Sequence, residues 1–309
     1  MISLIICAHN EEKNMGNLLN DLSKEIKTIK DSIEIFLCLS DCNDKTEKIA
    51  KDISKKNKLK IKIIRTPRGK IVSQKIALKL INKRSEEIIF LDSDIKLTKG
   101  AIINILKESR KYPSVKMFYS KGKPVRKKGL WYNFMNVRTL NPKYVIAKED
   151  VSKFHPFDKN KRKKIFATGG IYLLRFGVYD IDSGAMGDDS YLTHLIYSRY
   201  GPGTIKEAES SVFIYQPVQT LSSWISKWRR IWSDLNSIYQ THPEFRYLKK
   251  YMDLKIDYLS LIKDRKYGLI FLFVFERVWN SLGKIALKPF YYKSTNWKQL
   301  SDTKEIKND

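Results

Sequence analysis

The sequence predicts an α/β fold: a doubly wound, mainly parallel sheet with flanking helices, extended at its C-terminal end by further helices. Short apolar runs alternate with amphipathic stretches through the first hundred residues, as successive βα units do. Each apolar run ends on polar or charged residues, and open α/β sheets bind their ligands beyond the carboxyl ends of their strands. From Leu221 onward the apolar residues recur at helical spacing.

The elements follow in order. Ile2 to Ala8 is almost wholly apolar, the pattern of a strand covered on both faces. Glu12 to Ile29 places Met15, Leu18, Leu19, Leu22 and Ile26 on one helical stripe. Ile33 to Leu39 repeats the strand pattern, Thr46 to Ile53 reads as a helix, Leu59 to Ile64 as a strand, Val72 to Ile81 as a helix and Glu87 to Leu91 as a fourth strand. Met117 to Lys164 is less regular and very basic, closing on the run KNKRKK. FATGGIYLL is strand-like, and in GAMGDDSYLTHLI the residues Tyr191, Leu192, Leu195 and Ile196 form the inner face of a helix. Trp224, Trp228 and Trp232, four apart, share a face with Leu235 and Tyr239.

Composition narrows the function classes. The 309 residues carry 59 Lys and Arg against 33 Asp and Glu, a formal charge of +26, with 42% hydrophobic and 12% aromatic residues. So apolar a chain folds, and its length suits one large domain or a domain with an appendage. The basic balance fits an anionic partner, whether nucleic acid, a phosphorylated small molecule or a membrane leaflet, and equally a solvated lysine-rich surface. Cys7, Cys38 and Cys42 are odd in number, and the first two lie in buried strands, so a disulfide framework is not expected and the compartment reads as reducing. MISLIICAHNEE reaches charge too soon for a signal peptide and reads as a strand. His155, His194 and His242 have no metal-site spacing, and His9 reads as a packing residue.

Chemistry concentrates at the strand ends. His9, Asn10 and Glu11 follow the first strand; Ser40, Asp41 and Asp44 the second; Arg65, Arg68, Gly69 and Lys70 the third; Asp92 and Asp94 the fourth. No G-x-G-x-x-G or P-loop sequence stands there, which argues against a dinucleotide or P-loop site. IIFLDSD runs a buried strand into two carboxylates one residue apart. Such a pair calls for a shared cation or hydrogen-bond donors, and Mg²⁺ or Mn²⁺ satisfies it while bridging phosphate oxygens. Asp188 and Asp189 begin a helix, whose N-terminus favours anions; they read either as a general base for a hydroxyl nucleophile or as ordinary N-terminal helix acids.

Taken together, ISLIICAHNEEKNMGNLL, SDCNDKT, the RGK loop, IIFLDSD, the GG of FATGG, GDDSYL and WISKWRRIW resemble the family 2 glycosyltransferases in order and approximate spacing over residues 1 to 235. The resemblance implies a GT-A fold and inverting transfer of a sugar from a nucleotide-diphosphate donor to a hydroxyl of a glycan or lipid-linked acceptor, with Mg²⁺ or Mn²⁺. It implies that Ala8, Asn10 and Glu11 border the nucleotide, Asp41 holds the base, Lys70 approaches the base or the diphosphate, Asp92 meets the ribose or the ion, and Asp94 ligates the metal. Asp189 is implied as catalytic base with Asp188 beside it, and Arg230 as a residue meeting the donor or acceptor or else flanking a tryptophan-filled helix. The sequence departs from the family where Asp188-Asp189 replaces Glu-Asp, where Ser40 stands at a position often acidic, and where the Gln-x-x-Arg-Trp of processive members is missing. On this reading residues 1–100 form the nucleotide-sugar half, 101–220 the acceptor side with the base, and 221–309 a helical extension.

Competing classes are a basic nucleic-acid-binding protein and a nucleotidyltransferase of similar architecture. The acids at the strand ends would repel a polyanion, and no nucleic-acid-binding motif occurs, so nucleic acid is not expected as a partner. LIFLFVF, Leu269 to Phe275, is far shorter than the ~20 residues of a membrane span. Leu272, Phe275, Trp279, Leu282 and Ala286 could nevertheless lie in the plane of an anionic membrane surface, or pack on the domain. The expected location is cytoplasmic and peripheral to the membrane.

Overall fold

The computed structural model describes residues 1–158, 160–181, 185 and 187–287, with side chains as far as 281. In chain order the elements are β1 (Ile2–Ala8), α1 (Met15–Ile26), β2 (Ile33–Ser40), α2 (Thr46–Asn57), β3 (Ile61–Thr66), α3 (Lys70–Leu78), β4 (Glu87–Asp92), β5 (Ile95–Leu97), α4 (Ala101–Lys111) and β6 (Met117–Pro124). There follow α5 (Leu130–Met135), α6 (Val137–Leu140), β7 (Val145–Ala147), β8 (Ile171–Arg175), α7 (Asp188–Tyr200) and β9 (Ile205–Tyr215). The rest comprises α8 (Leu221–Thr241), α9 (Lys249–Met252), β10 (Leu254–Ile256), α10 (Tyr258–Lys263) and α11 (Tyr267–Leu287). The chain divides into two compact units: Met1–Lys123 with Ala167–Gln216, and Pro124–Phe166 with the chain from Pro217.

The first unit is built on an eight-stranded sheet in the order β3-β2-β1-β4-β8-β6-β9-β5. β3, β2, β1 and β4 are parallel neighbours, as the alternating βα pattern requires. β8 then pairs antiparallel with both β4 and β6, and β9 antiparallel with β5. Leu4, Ile6, Leu37, Ile89 and Leu91 are buried from the strands, and Met15, Leu18, Leu19 and Leu22 of α1 pack with them in one core. Each such side chain contributes on the order of 2 kcal/mol of burial. Glu25 of α1 reaches across to cap α4: its carboxylate accepts from Gly100 N at 2.6 Å and Ile102 N at 3.0 Å, satisfying amides that a helix start leaves unpaired. The three cysteines are free thiols.

Residues 117–124, expected to be irregular, form β6: Met117 to Ser120 are buried and the remainder lies nearer solvent, so the lysines of the outer half hide the strand pattern. The basic run after it is folded into the second unit: Arg162 pairs with Asp257 at 3.2 Å, and Lys161 donates to the carbonyl of His155.

In the second unit β7 and β10 pair antiparallel. Val137, Tyr144, Ile256, Leu261 and Phe273 form one core, and Phe134, Met135, Val218 and Trp224 another. The side chain of Thr220 caps α8 by accepting from Ser223 N at 3.2 Å. The expected tryptophan face is present, with Trp224 against Trp228 at 6.1 Å and Trp228 against Trp232 at 5.6 Å. The α11 stripe, read in sequence either as interfacial or as packed on the domain, is divided. Leu272 and Trp279 pack into the unit, and Phe275 is exposed; Leu282 and Ala286 lie outside the described side chains. No described helix is long and apolar enough to cross a membrane.

Candidate active site

The carboxyl ends of β2, β1 and β4 lie side by side, so the loops after them share one edge of the first unit. Two of these loops turn through the left-handed region, Asn10 at φ 52° and Asp41 at φ 52°, a conformation that Asn and Asp tolerate better than most residues. Asn10 Oδ1 accepts from Asn43 N at 2.9 Å, and Glu11 N donates to Thr46 Oγ1 at 2.7 Å. The Ser40 hydroxyl accepts from Gly69 N at 2.8 Å and so holds the loop that presents Lys70 at the start of α3.

Lys70 Nζ lies 2.6 Å from Asp92 Oδ1 and 3.0 Å from Asp188 Oδ2, joining the end of β4 to the start of α7. Opposite it stand two consecutive glycines. Gly169 N donates to Asp189 Oδ2 at 2.7 Å and Gly170 N to Asp92 Oδ2 at 2.9 Å, while Asp92 N returns a bond to Gly170 O at 2.8 Å. A side chain at Gly169 would begin 3.4 Å from both Asp92 Oδ2 and Asp189 Oδ2; at Gly170, φ +80°, it would collide with Phe213. Gly170 therefore has to be glycine, whereas a Cβ at Gly169 would meet the two carboxylates at ordinary contact distance.

The two adjacent aspartates have different surroundings. Asp188 is buried; its Oδ2 accepts from Tyr172 OH at 2.6 Å and Gln74 Nε2 at 2.8 Å. Burial pushes its carboxyl up, but Lys70, Tyr172 and Gln74 outweigh that and hold it below the usual range. Asp189 is half-buried; burial, then the charge of Asp188, raises its carboxyl above the ordinary value. Asp94 is pushed up to about 7 by burial and by the charges of Asp92 and Glu11, with Lys70 opposing. Burial works against the charge of Lys70, but Asp188 and Asp92 hold its ammonium well above its ordinary value.

Of the residues singled out in sequence, Lys70, Asp92 and Asp188 are in direct contact, and Asp189 joins them through the glycine pair. Ala8 is buried at the end of β1, and Asp41 is exposed at the end of β2, its N donating to Thr66 O. Arg65 forks onto Glu47 instead of facing the edge, with both bonds at 3.0 Å. Arg230 lies on α8, in the other unit. Sequence reading missed Gln74, Tyr172 and Tyr179, whose OH donates to Gln74 Oε1 at 2.9 Å. Gln74 stands one helical turn after Lys70, the spacing that could have found it; Tyr172 lies opposite Phe90 across the β4–β8 ladder, visible only once that pairing is known.

The profile of the family "Glycosyl transferase family 2" matches residues 3–180, more than half of the chain and the whole of this strand edge. The chain belongs to this family. It is thereby a glycosyltransferase, and its mixed α/β sheet with flanking helices is the GT-A fold. Solved structures agree in architecture. The mannosyltransferase PcManGT of Pyrobaculum calidifontis, in complex with GDP-Man and Mn²⁺, superposes with a TM-score of 0.58 at 14% identity, over 81% of this chain and 69% of that one. Glucosyl-3-phosphoglycerate synthase of Mycobacterium tuberculosis, in complex with Mn²⁺, UDP and glucosyl-3-phosphoglycerate, gives 0.50 at 13% identity, over 77% and 79%. TarS 1-349 of S. aureus gives 0.50 at 16% identity, over 78% and 73%. At these identities the likeness is one of fold. Comparison with curated proteins gives no match. Among the glycosyltransferase's described residues, no three His, Cys, Asp or Glu side chains converge as a ready-made metal cage.

Proposed function

We propose that this glycosyltransferase transfers a sugar, with inversion at the anomeric carbon, from a nucleoside-diphosphate donor to a hydroxyl of a glycan or lipid-linked acceptor. The observation that carries the reading is the Gly169–Gly170 clamp. It sets the carboxylate of Asp92, on the strand end expected to face the donor, beside that of Asp189, each held by one backbone amide of the pair. The neighbours named above that bind GDP-Man or UDP support the donor class.

In this reading Asp189 is the general base. An acceptor hydroxyl is a weak nucleophile at neutral pH, and a carboxylate whose affinity for protons is raised takes its proton more readily as the C–O bond forms. Asp188 is a poorer base because Lys70, Tyr172 and Gln74 occupy its charge. It orients Lys70 and the start of α7. Lys70 is poised to shift toward the donor's diphosphate, while Asn10, Glu11, Asp41 and Ala8 border the nucleotide.

Asp94, with Asp92, suits a hard divalent cation. Its carboxyl is destabilised as an anion by Asp92 and Glu11, and oxygen donors are what Mg²⁺ and Mn²⁺ take. Such an ion is commonly held by one or two carboxylates plus substrate phosphates, in keeping with the lack of a three-ligand cage among the described residues. When bound, it supplies Lewis-acid neutralisation of the charge growing on the leaving diphosphate.

The test is Asp189→Asn with the donor nucleotide titrated by calorimetry and transfer followed by product analysis. Transfer should fall by about 10²- to 10⁴-fold with nucleotide affinity unchanged. Retained transfer, or lost nucleotide binding, would overturn the role of Asp189.

A further inference from the structure

α11 is apolar almost all the way round over its first three turns, a property of helices buried on every side or facing lipid. One side is accounted for. Leu269, Ile270, Leu272 and Phe273 pack into the second unit, and Trp279 packs beside Trp224 and Phe134. Buried Glu276 anchors that side, both carboxylate oxygens accepting from Arg138 Nε at 2.9 Å. The other side, Tyr267, Phe271, Val274, Phe275 and Val278, is exposed, Phe271 to 70%.

That exposed side continues onto a second element. Phe271 stacks on Phe275 at 6.4 Å, Phe275 meets Phe134 at 4.8 Å, and Phe134 meets Trp131 at 6.0 Å. Trp131 is 63% exposed, with Leu130 beside it at 74%. The surface is therefore a ridge of large exposed aromatic and aliphatic side chains from α5 and α11, the kind of contiguous apolar patch that marks an interaction site.

Its surroundings are cationic. Lys128 precedes Leu130 and Trp131; Lys263, Arg265 and Lys266 lead into α11; Arg277 adjoins Val278; all five are exposed. The two acids of residues 259–281 are tied to cations, Asp264 to Lys143 at 2.6 Å and Glu276 to Arg138. Exposed aromatic residues beside unopposed Lys and Arg complement an anionic lipid surface, where rings sit at the headgroup boundary and cations meet phosphates. No described helix can span a bilayer, which leaves in-plane docking as the mode.

We infer that the ridge formed by Leu130, Trp131, Tyr267, Phe271, Phe275 and Val278, with Lys128, Lys263, Arg265 and Lys266, docks the protein onto an anionic membrane surface. Of the α11 stripe read in sequence, Phe275 belongs to this ridge, while Leu272 and Trp279 fasten the helix to its own unit.

The full-length protein is sedimented with phosphatidylcholine vesicles, with and without phosphatidylserine, alongside Trp131→Ser/Phe271→Ser and Lys263→Glu/Lys266→Glu variants. Because the substituted side chains are exposed, the variants should fold, and an unchanged melting temperature checks this. The expected result is binding to anionic vesicles that weakens with salt, about tenfold or more weaker binding for the aromatic variant, and loss of the preference for phosphatidylserine in the charge variant. Failure of the wild type to sediment, or unchanged binding by the aromatic variant, overturns the inference. So does a wild-type dimer that ignores vesicles and becomes monomeric in the aromatic variant, which would make a second copy the occupant.

Discussion

Replacing Gly170 by alanine tests the clamp from geometry alone. The new methyl would lie 2.3, 2.5 and 2.9 Å from three ring carbons of Phe213, all far inside ordinary contact distance. The ring has little room to retreat. Phe213 is buried, and its ring also presses on the position a side chain would take at Gly122, at 3.0 Å. Backbone at φ +80° adds about 1 kcal/mol of left-handed strain for a residue with a Cβ, and overpacking of this kind costs about 1–3 kcal/mol. The sum, about 3 kcal/mol, is a large share of the roughly 5–15 kcal/mol of a typical domain. Urea unfolding should show a lower midpoint with an unchanged slope. Phe213→Leu in the same chain should recover at least about 1 kcal/mol through coupling, leaving the backbone strain behind. A single-variant loss below about 1 kcal/mol, or strict additivity of the two changes, would refute the claim that the Phe213 ring is what forbids a side chain there.

Two further outcomes follow from buried charge. In a chelator, Asp94→Asn should stabilise the protein, because the carboxyl is carried from its ordinary 3.8 to about 7 by burial, Asp92 and Glu11. That shift sets a ceiling of about 4 kcal/mol, which solvent access at a half-buried site reduces to about 2 kcal/mol. The folded protein holds this proton more tightly than the unfolded chain, so the gain is full above about pH 7 and fades as pH falls toward about 4. Thermal melts at about pH 8 and pH 4.5 read it, with added Mn²⁺ stabilising the wild type alone; destabilisation at about pH 8 would contradict the site electrostatics. Arg138→Met should cost about 3 kcal/mol near neutral pH by stranding Glu276, whose carboxyl burial already raises against the pull of Arg138. That penalty falls on the charged carboxylate, so it should shrink as pH drops through the raised value; equal loss at acid pH would show that packing, not charge, is what Arg138 supplies.

The parallel half of the sheet was legible because β1, β2 and β4 are buried along most of their length: a run such as IIFLD can hardly be anything else once amphipathic helices flank it. The antiparallel half, apart from β8 within FATGGIYLL, was not. β6 carries SKGKP at its outer end, β5 is three residues long, and β9 reads IKEAESSVFIY, whose charges interrupt the apolar signal. Asp92, Asp94, Asp188 and Asp189 could be found because they follow an apolar strand or open a helix. Tyr172 and Gln74 could not, because their part is to surround Asp188, and which residues surround a carboxylate depends on the pairing of β8 with β4 and on the placement of α3.

The formal charge of +26 and the acidity of the site are two different fields acting at different ranges. At long range an excess of lysine would draw the proposed nucleoside-diphosphate donor toward the molecule, an effect that salt screens within roughly 10 Å. At the strand edge, in the proposed reading, the ligand would meet Asp92, Asp94, Asp188 and Asp189 with Lys70 among them, and Lys70 is already shared by Asp92 and Asp188. A diphosphate arriving alone would have to take Lys70 from Asp188, leaving a buried carboxylate with only Tyr172 and Gln74 to hold it. In the proposed reading Asp94 and Asp92 would hold a divalent cation arriving with the phosphates, and Lys70 could then lean toward the donor without abandoning Asp188. Donor affinity should therefore depend on the cation more steeply in the wild type than in an Asp188→Asn variant, in which Lys70 has one carboxylate fewer to serve.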